Sequence, residues 1–322
     1  MNTINNIQNK HSLAVCNDLR MNIHISAILE KFTSFLISTS IFLAISGSLK
    51  VIFSCLLYNI FVLNTAILTF LITFGIYGLN KLTDMKEDAV NRPERANLIK
   101  KIEPFLIFFV AISFLLSLIL GFQENIMTLL ILIFPLFMGI VYSVKLSRNI
   151  PRLKDITGVK NFTIALSWAA VAAFLPVIYL KEKNILLIIL IFGFFFLKSY
   201  INSVLFDVRD IEGDRMNGIR TLPVFLGKNN TKNLLLFLNT ILIFWLIFSY
   251  SHGFFNKYLF VFIFAILYGY WYILHFCRKG IKIGKSLDLL VDGEFIIIAI
   301  LALFISDEKN YRLTMNFFNS LI

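Results

Sequence analysis

Apolar residues dominate nine runs of this chain, roughly 33–49, 57–79, 104–121, 126–142, 161–180, 185–205, 233–250, 258–276 and 289–305. Most approach the ~20 residues an α-helix needs to cross a ~30 Å hydrocarbon core. Charged and polar stretches separate them, and only residues 121–125 divide the third run from the fourth, which predicts a tight hairpin. The pattern predicts an all-α, polytopic membrane protein with nine transmembrane helices. It divides the chain into a polar N-terminal segment (1–31), one transmembrane domain (32–306) and a short C-terminal tail (307–322). No apolar stretch sits in signal-peptide position, so the first membrane helix is expected to serve as an uncleaved anchor.

Composition agrees. Of 322 residues, 58% are hydrophobic and 15% charged, and 35 are Phe; the mean hydropathy is +0.80. A soluble globular domain has far more polar surface to supply. The net charge of +11 would suit a nucleic-acid partner, but the basic residues lie in the loops between apolar runs and form no single patch. Nucleic acid is therefore excluded, and no obligate protein partner is evident. Loops after the second, fourth, sixth and eighth runs carry twenty Lys and Arg against six in the opposite loops. The positive-inside rule then puts the even loops and the N-terminus in the cytoplasm of a multi-pass protein of the cell membrane. Cys16, Cys55 and Cys277 have no paired spacing, and the four His have no ligand spacing.

Candidate chemistry lies in the even loops. Asn80, Asp84 and Asp88 are four residues apart, so they share one face of a helix. Asp207, Asp210 and Asp214 fall at i, i+3 and i+7, again on one face. Asp84 and Asp210 are 126 residues apart, as are Asp88 and Asp214. This register marks a parallel internal repeat with both acidic faces on the cytoplasmic side. Carboxylates are hard oxygen ligands, and Mg2+ held by them keeps shell positions for water and phosphate oxygens. Two such sets can clamp a diphosphate and ease cleavage of the adjacent C–O bond. Lys145, Lys154, Arg92, Arg95, Arg209 and Arg215 are candidates for the remaining phosphate charge.

The flanking motifs carry a resemblance. N-R-P-E-R (91–95) follows the first acidic face, Y-S-V-K with Tyr142 and Lys145 follows the fourth run, and R-T-L-P-V (220–224) with Gly227 follows the second face. Over roughly residues 30–305 the chain resembles the UbiA superfamily of intramembrane prenyltransferases. The resemblance implies a nine-helix bundle around a central cavity that opens to the cytoplasmic side. It implies Mg2+ held through Asn80, Asp84 and Asp88 and through Asp207, Asp210 and Asp214, with Asp84, Asp88, Asp210 and Asp214 as the catalytic acids. Lys145, Arg92, Arg95 and Arg215 would bind the diphosphate, and Tyr142, Lys198 and Lys154 are candidate substrate contacts. A polyprenyl diphosphate would ionise to an allylic cation, and a lipophilic or aromatic acceptor would attack its first carbon. The sequence departs from the family pattern at Lys81, where Asp is frequent, and at Ala96, where Pro is frequent.

Other residues read more plainly. Lys198 lies inside an apolar run, where a Lys usually faces a partner or a cavity. Asp292 and Glu294 open the last run, where carboxylates favour a helix N-terminus without further function. Trp168, Trp245 and Trp271 read as helix-interface or belt residues, with cation–π shielding as the alternative. The rival reading is a secondary transporter of an anionic or lipid-like solute, which internal repeats and intramembrane charges also mark. Transporters favour sites near the midplane, whereas these acids gather at one face.

Overall fold

The computed structural model describes residues 28–143, 156, 158–216, 218–278, 280, 281 and 283–307. Helices account for almost all of them: α1 (Ile28–Ser38), α2 (Ile41–Leu57), α3 (Leu63–Thr83), α4 (Met85–Asn91), α5 (Pro93–Glu124), α6 (Ile126–Ser143), α7 (Val159–Phe174), α8 (Ile185–Met216), α9 (Leu222–Leu226), α10 (Lys228–Ser251), α11 (Leu259–Phe276), α12 (Lys285–Leu287) and α13 (Glu294–Ser306). Among the described residues there is no strand. Seven helices are long and apolar enough to cross a membrane, and the bent pair α1–α2 makes an eighth if taken as one span. The apolar part of α6, Ile126–Val141, is shorter than a full crossing.

The helices pack as a ring. α2 lies against α3 and α7, α3 against α5 and α6, α6 against α7, α7 against α8, and α8 against α10. α10 leads to α11, α11 to α13, and α13 returns to α2, closing the ring. Close approach of α3 to α5 depends on glycine: a Cβ on Gly75 would run into the Phe114 ring, and one on Gly78 into Val110. Large apolar side chains on the outer faces of α5, α10 and α13, such as Phe108, Phe122, Phe244 and Phe304, are exposed. That belt suits contact with lipid tails.

Hydropathy misplaces the first span. The run ending before Lys50 reads as complete, with Lys50 in a loop on the side opposite the acids. In fact α1 and α2 meet at a 71° bend, where Ser40 takes a left-handed conformation (φ 69°). α2 then continues past Lys50 to Leu57. A Lys inside a span interrupts a hydropathy window, but a helix tolerates it where its face borders a polar cavity. The bend frees carbonyls at the end of α1, and the Lys81 ammonium caps one of them, donating to the Ile37 carbonyl at 2.6 Å. Lys81 therefore serves the bend and stands beside the acidic face without adding to it.

Aromatic packing fills one end of the ring. Phe194 meets Phe262 edge-on at 4.9 Å, and Phe53 lies 5.6 Å from Phe262. Beside this cluster is a buried polar knot. The Lys198 ammonium lies 2.5 Å from the Glu294 carboxylate, with both side chains fully buried. Lys198 also donates to the Tyr272 hydroxyl at 2.9 Å and the Ala265 carbonyl at 3.1 Å, and Tyr272 donates to Asn202 at 3.0 Å. The knot joins α8, α11 and α13. Removing one member of a buried ion pair strands the other and costs roughly 3–5 kcal/mol. Lys198→Met is therefore expected to lower the thermal unfolding temperature sharply in detergent, and Lys198→Met combined with Glu294→Gln to recover much of the loss. Equal melting of wild type and the single variant would show that the pair contributes nothing.

Candidate active site

Both acidic faces open on one cavity. At the end of α3 the chain passes the first set through nearly helical geometry: the Asp84 N–H donates to the Asn80 carbonyl at 2.9 Å, Asp88 to Asp84 at 2.8 Å, and Arg92 to Asp88 at 2.7 Å. The helix axis is interrupted only at Asp84, and the four-residue spacing still holds all three side chains on one face. The second set rides on the last turns of the unbroken α8. Asn80, Asp84, Asp88, Asp207, Asp210 and Asp214 all line a cavity of about 260 Å³.

A third acidic pair joins them. Asp288–Asp292 form one π-helical turn between α12 and α13, and both aspartates line the same cavity. A π turn widens the backbone and re-aims side chains, and such turns concentrate at functional sites. Sequence reading gave Asp292 only a helix-terminus role and did not single out Asp288. The D-x-x-x-D spacing they share with the other acidic pairs was the available signal.

Basic side chains hold most of these carboxylates. Arg95 pairs with Asp88. Arg209 grips Asp210 with two bonds of 2.8 and 2.9 Å. Arg92 makes two parallel 3.1 Å bonds to Asp288, and Arg209 also reaches Asp288 at 3.4 Å. From α7, Lys160 donates to one Asp207 oxygen at 2.6 Å and Asn161 to the other at 2.8 Å. The N-R-P-E-R motif thus supplies two guanidinium groups: its Pro93 opens α5 at the first helical position, with Arg92 just outside and Arg95 within the first turn. Bidentate Arg–carboxylate geometry is also what an arginine offers a phosphate.

The donor set fits a hard divalent cation. One oxygen of Asp214, Oδ2, is buried in the cavity wall with only the Thr221 hydroxyl beside it and no well-aligned hydrogen bond among the described residues. A buried carboxylate oxygen without a well-aligned partner is costly, and a cation would satisfy it. Among the described residues no three carboxylates converge on one point. Such an arrangement suits Mg2+, which takes one or two carboxylates and completes its shell with water and phosphate oxygens.

Other residues expected at the site fall in different places. Arg215 is exposed and off the cavity wall, and Lys198 is tied to Glu294 and does not line the cavity. Its role as a substrate contact gives way to the buried ion pair. Lys145 and Lys154 lie outside the described residues, as does the side chain of Tyr142. On the wall between α3 and α7, Trp168 donates to the Tyr77 hydroxyl at 2.7 Å with the two rings stacked. A second groove leads away from that pair between α3, α6 and α7, lined by Ile76, Pro135, Met138 and Ile164 among others.

The profile of the UbiA prenyltransferase family matches residues 33–282. The chain belongs to the UbiA prenyltransferase family. Two curated relatives are similar in sequence. A digeranylgeranylglyceryl phosphate synthase of Methanosphaera stadtmanae is 28% identical over 186 residues, covering 57% of this chain and 64% of that protein. One from Sulfolobus acidocaldarius is 29% identical over 169 residues, covering 50% of this chain and 56% of that protein. The chain thus spans less than two thirds of either relative. A UbiA homologue from Archaeoglobus fulgidus bound to GPP and Mg2+ shares the fold, with a TM-score of 0.62 at 17% identity, over 84% of this chain and 96% of that one. A UbiA homologue from Aeropyrum pernix K1 does so too, with a TM-score of 0.62 at 15% identity, over 81% and 96% of the two chains.

For this UbiA-family chain the poorly satisfied Asp214 oxygen offers a direct test. Asp214→Asn is expected to weaken binding of Mn2+, used as a paramagnetic substitute for Mg2+, at least about tenfold, the loss seen when even a supporting carboxylate is removed from a metal site. Electron paramagnetic resonance of free Mn2+ against detergent-purified protein reads this directly. Unchanged binding would place the cation elsewhere.

Proposed function

We propose that this protein is a Mg2+-dependent intramembrane prenyltransferase that moves a polyprenyl group from its diphosphate to a lipophilic acceptor. The observation that carries the reading is the meeting of two repeat-related acidic faces in one cavity, ringed by guanidinium groups and adjoining an apolar groove. Family membership agrees, as does the binding of GPP and Mg2+ by the Archaeoglobus fulgidus homologue. Both curated relatives make a diprenylated glyceryl phosphate, which favours a glyceryl phosphate lipid over an aromatic acceptor. In this reading the protein has nine spans, with the bent α1–α2 and the short α6 each counted as one. The acidic faces lie on the cytoplasmic side of the cell membrane, where the basic loops are.

Asn80, Asp84 and Asp88 on one face and Asp207, Asp210 and Asp214 on the other would hold two or more Mg2+ ions, which would offset charge on the departing diphosphate. The chain's own groups do the rest. Arg92, Arg95 and Arg209 can turn from carboxylates to phosphate oxygens, and Lys145 is proposed to assist them. The stacked Tyr77 and Trp168 present aromatic surface between the acidic face and the groove, where a prenyl tail and a developing allylic cation would lie. The C1–O bond to diphosphate breaks, a bond from the acceptor oxygen to C1 forms, and the acceptor's proton is released.

Asp84→Ala and Asp210→Ala are expected to abolish Mg2+-dependent diphosphate release from geranylgeranyl diphosphate while the protein still inserts and folds. Full turnover by purified Asp84→Ala would sink the assignment. Lys145→Ala is expected to raise the KM for the prenyl diphosphate more than that for the acceptor, and steady-state kinetics with each substrate varied separates the two.

A further inference from the structure

Deeper in the cavity than the two register-matched acidic faces lies a second polar tier. The 126-residue repeat that pairs Asp84 with Asp210 also pairs Thr73 with Ser199, and both line the cavity. Each stands eleven residues before its aspartate, about 16 Å along the helix axis at 1.5 Å per residue. Between them, from α2, comes Lys50. Its ammonium donates to the Ser199 hydroxyl at 3.2 Å and lies 4.4 Å from the centre of the Phe295 ring. Among the described residues Lys50 has no ion-pair partner, whereas Arg95, Lys160 and Arg209 on the same cavity each hold a carboxylate. Asp292 and Glu294 act on it only beyond ion-pair distance. Thr73 is 2% exposed, and its hydroxyl has no hydrogen-bond partner among the described residues. Gly47 faces that hydroxyl, and a Cβ there would come within 3.0 Å of it. The missing side chain leaves room on the Thr73 hydroxyl.

A lysine and an unpartnered hydroxyl inside a membrane domain are both costly unless something satisfies them. We propose that Lys50, Thr73 and Ser199 form the site for the anionic group of the acceptor. The site is too far along the cavity to share the diphosphate held between the acidic faces. It lies on the same cavity, so a molecule anchored there by an anion can present a hydroxyl toward the reacting carbon. A phosphate or a carboxylate has the charge to pair with the ammonium and the oxygens to accept from both hydroxyls. This assignment rests on the prenyl-transfer reading and names what selects the acceptor within it.

The test uses purified full-length protein and three probes: geranylgeranylglyceryl phosphate, its dephosphorylated alcohol, and 4-hydroxybenzoate. Binding is followed without donor or Mg2+ by tryptophan fluorescence, since Trp168 lines the cavity, and turnover is then measured with geranylgeranyl diphosphate and Mg2+. Lys50→Met is expected to weaken binding of the anionic acceptor by about tenfold or more, the loss of a charge-assisted hydrogen bond. The dephosphorylated alcohol should bind weakly to wild type and no worse to the variant. Lys50→Arg should restore part of the affinity, and Thr73→Val should lower it without changing the KM for the prenyl diphosphate. A Lys50-dependent preference for the phosphate lipid or for the benzoate names the source of the anion. Acceptor binding that ignores Lys50, or a KM for the prenyl diphosphate that rises in step with that for the acceptor, would overturn the proposal. Lys50-dependent binding with no transfer by wild type would instead strike the prenyl-transfer reading and leave the anion site standing.

Discussion

Like charge gathered in one cavity is the constraint on which the rest of this structure depends. Seven aspartates line a single space inside a membrane domain: Asp84, Asp88, Asp207, Asp210, Asp214, Asp288 and Asp292. Left alone they would repel one another and lose hydration, and either effect would exceed the net stability of a domain. The fold answers with cations from every direction. Lys50, Lys81, Lys160, Arg95 and Arg209 share the lining, and Arg92 reaches in to Asp288. The formal count is then seven against six, close to balance. A site so balanced can accept a cation and an anion together, as a metal diphosphate supplies them, with little change in its total charge. Arginine suits the task, since its planar fork matches carboxylate and phosphate alike.

The second requirement is that the acids stay at one end. α8 shows how this is achieved within one helix. Asp214, Asp210, Asp207, Ser203 and Ser199 follow one another at helical spacing and all line the cavity. Over the ~22 Å they span at 1.5 Å per residue, the face grades from carboxylates to small hydroxyls. Beside that face the same helix carries Lys198 into the polar knot with Glu294 and Tyr272, and Asn202, one turn on, accepts from Tyr272 while lining the cavity. That knot ties α8 to α11 and α13, and the π turn that presents Asp288 and Asp292 lies just ahead of Glu294. The buried ion pair and the cavity chemistry are therefore neighbours along the chain and meet in space at Asn202.

Much of this was legible from the chain. The period of the acidic motifs, their 126-residue register, and the N-R-P-E-R and R-T-L-P-V flanks are local patterns, and local patterns survive translation into helices with little change. What was missed depends on tertiary contact. Lys50 ended a hydropathy run and so read as a loop residue, because a window average cannot know that one face of a helix borders a polar cavity. The stripe of Ser46, Gly47 and Lys50 on α2 was the available hint. Lys198 and Glu294, 96 residues apart, each read as an isolated charge because nothing local announces their pairing. The π turn at Asp288–Asp292 was obscured in the same way, since an extra residue accommodated by its neighbours has no local signature beyond the D-x-x-x-D spacing itself.

The repeat is more informative in what differs between its halves than in what matches. Thr73 and Ser199 hold equivalent positions, as do Asp84 and Asp210, yet the surrounding helices treat them differently. Asp207 is fixed by Lys160 and Asn161 from α7 and is 1% exposed. Its counterpart by register is residue 81, where a lysine on the cavity wall turns its ammonium to cap the bend of α1. Ser199 holds the Lys50 ammonium, while Thr73 keeps an unpartnered hydroxyl. A cavity whose register-matched residues are satisfied on the α8 side and open on the α3 side has a defined direction. Such a direction would order two substrates that differ in shape and charge, as the proposed transfer from a donor carbon to an acceptor oxygen requires.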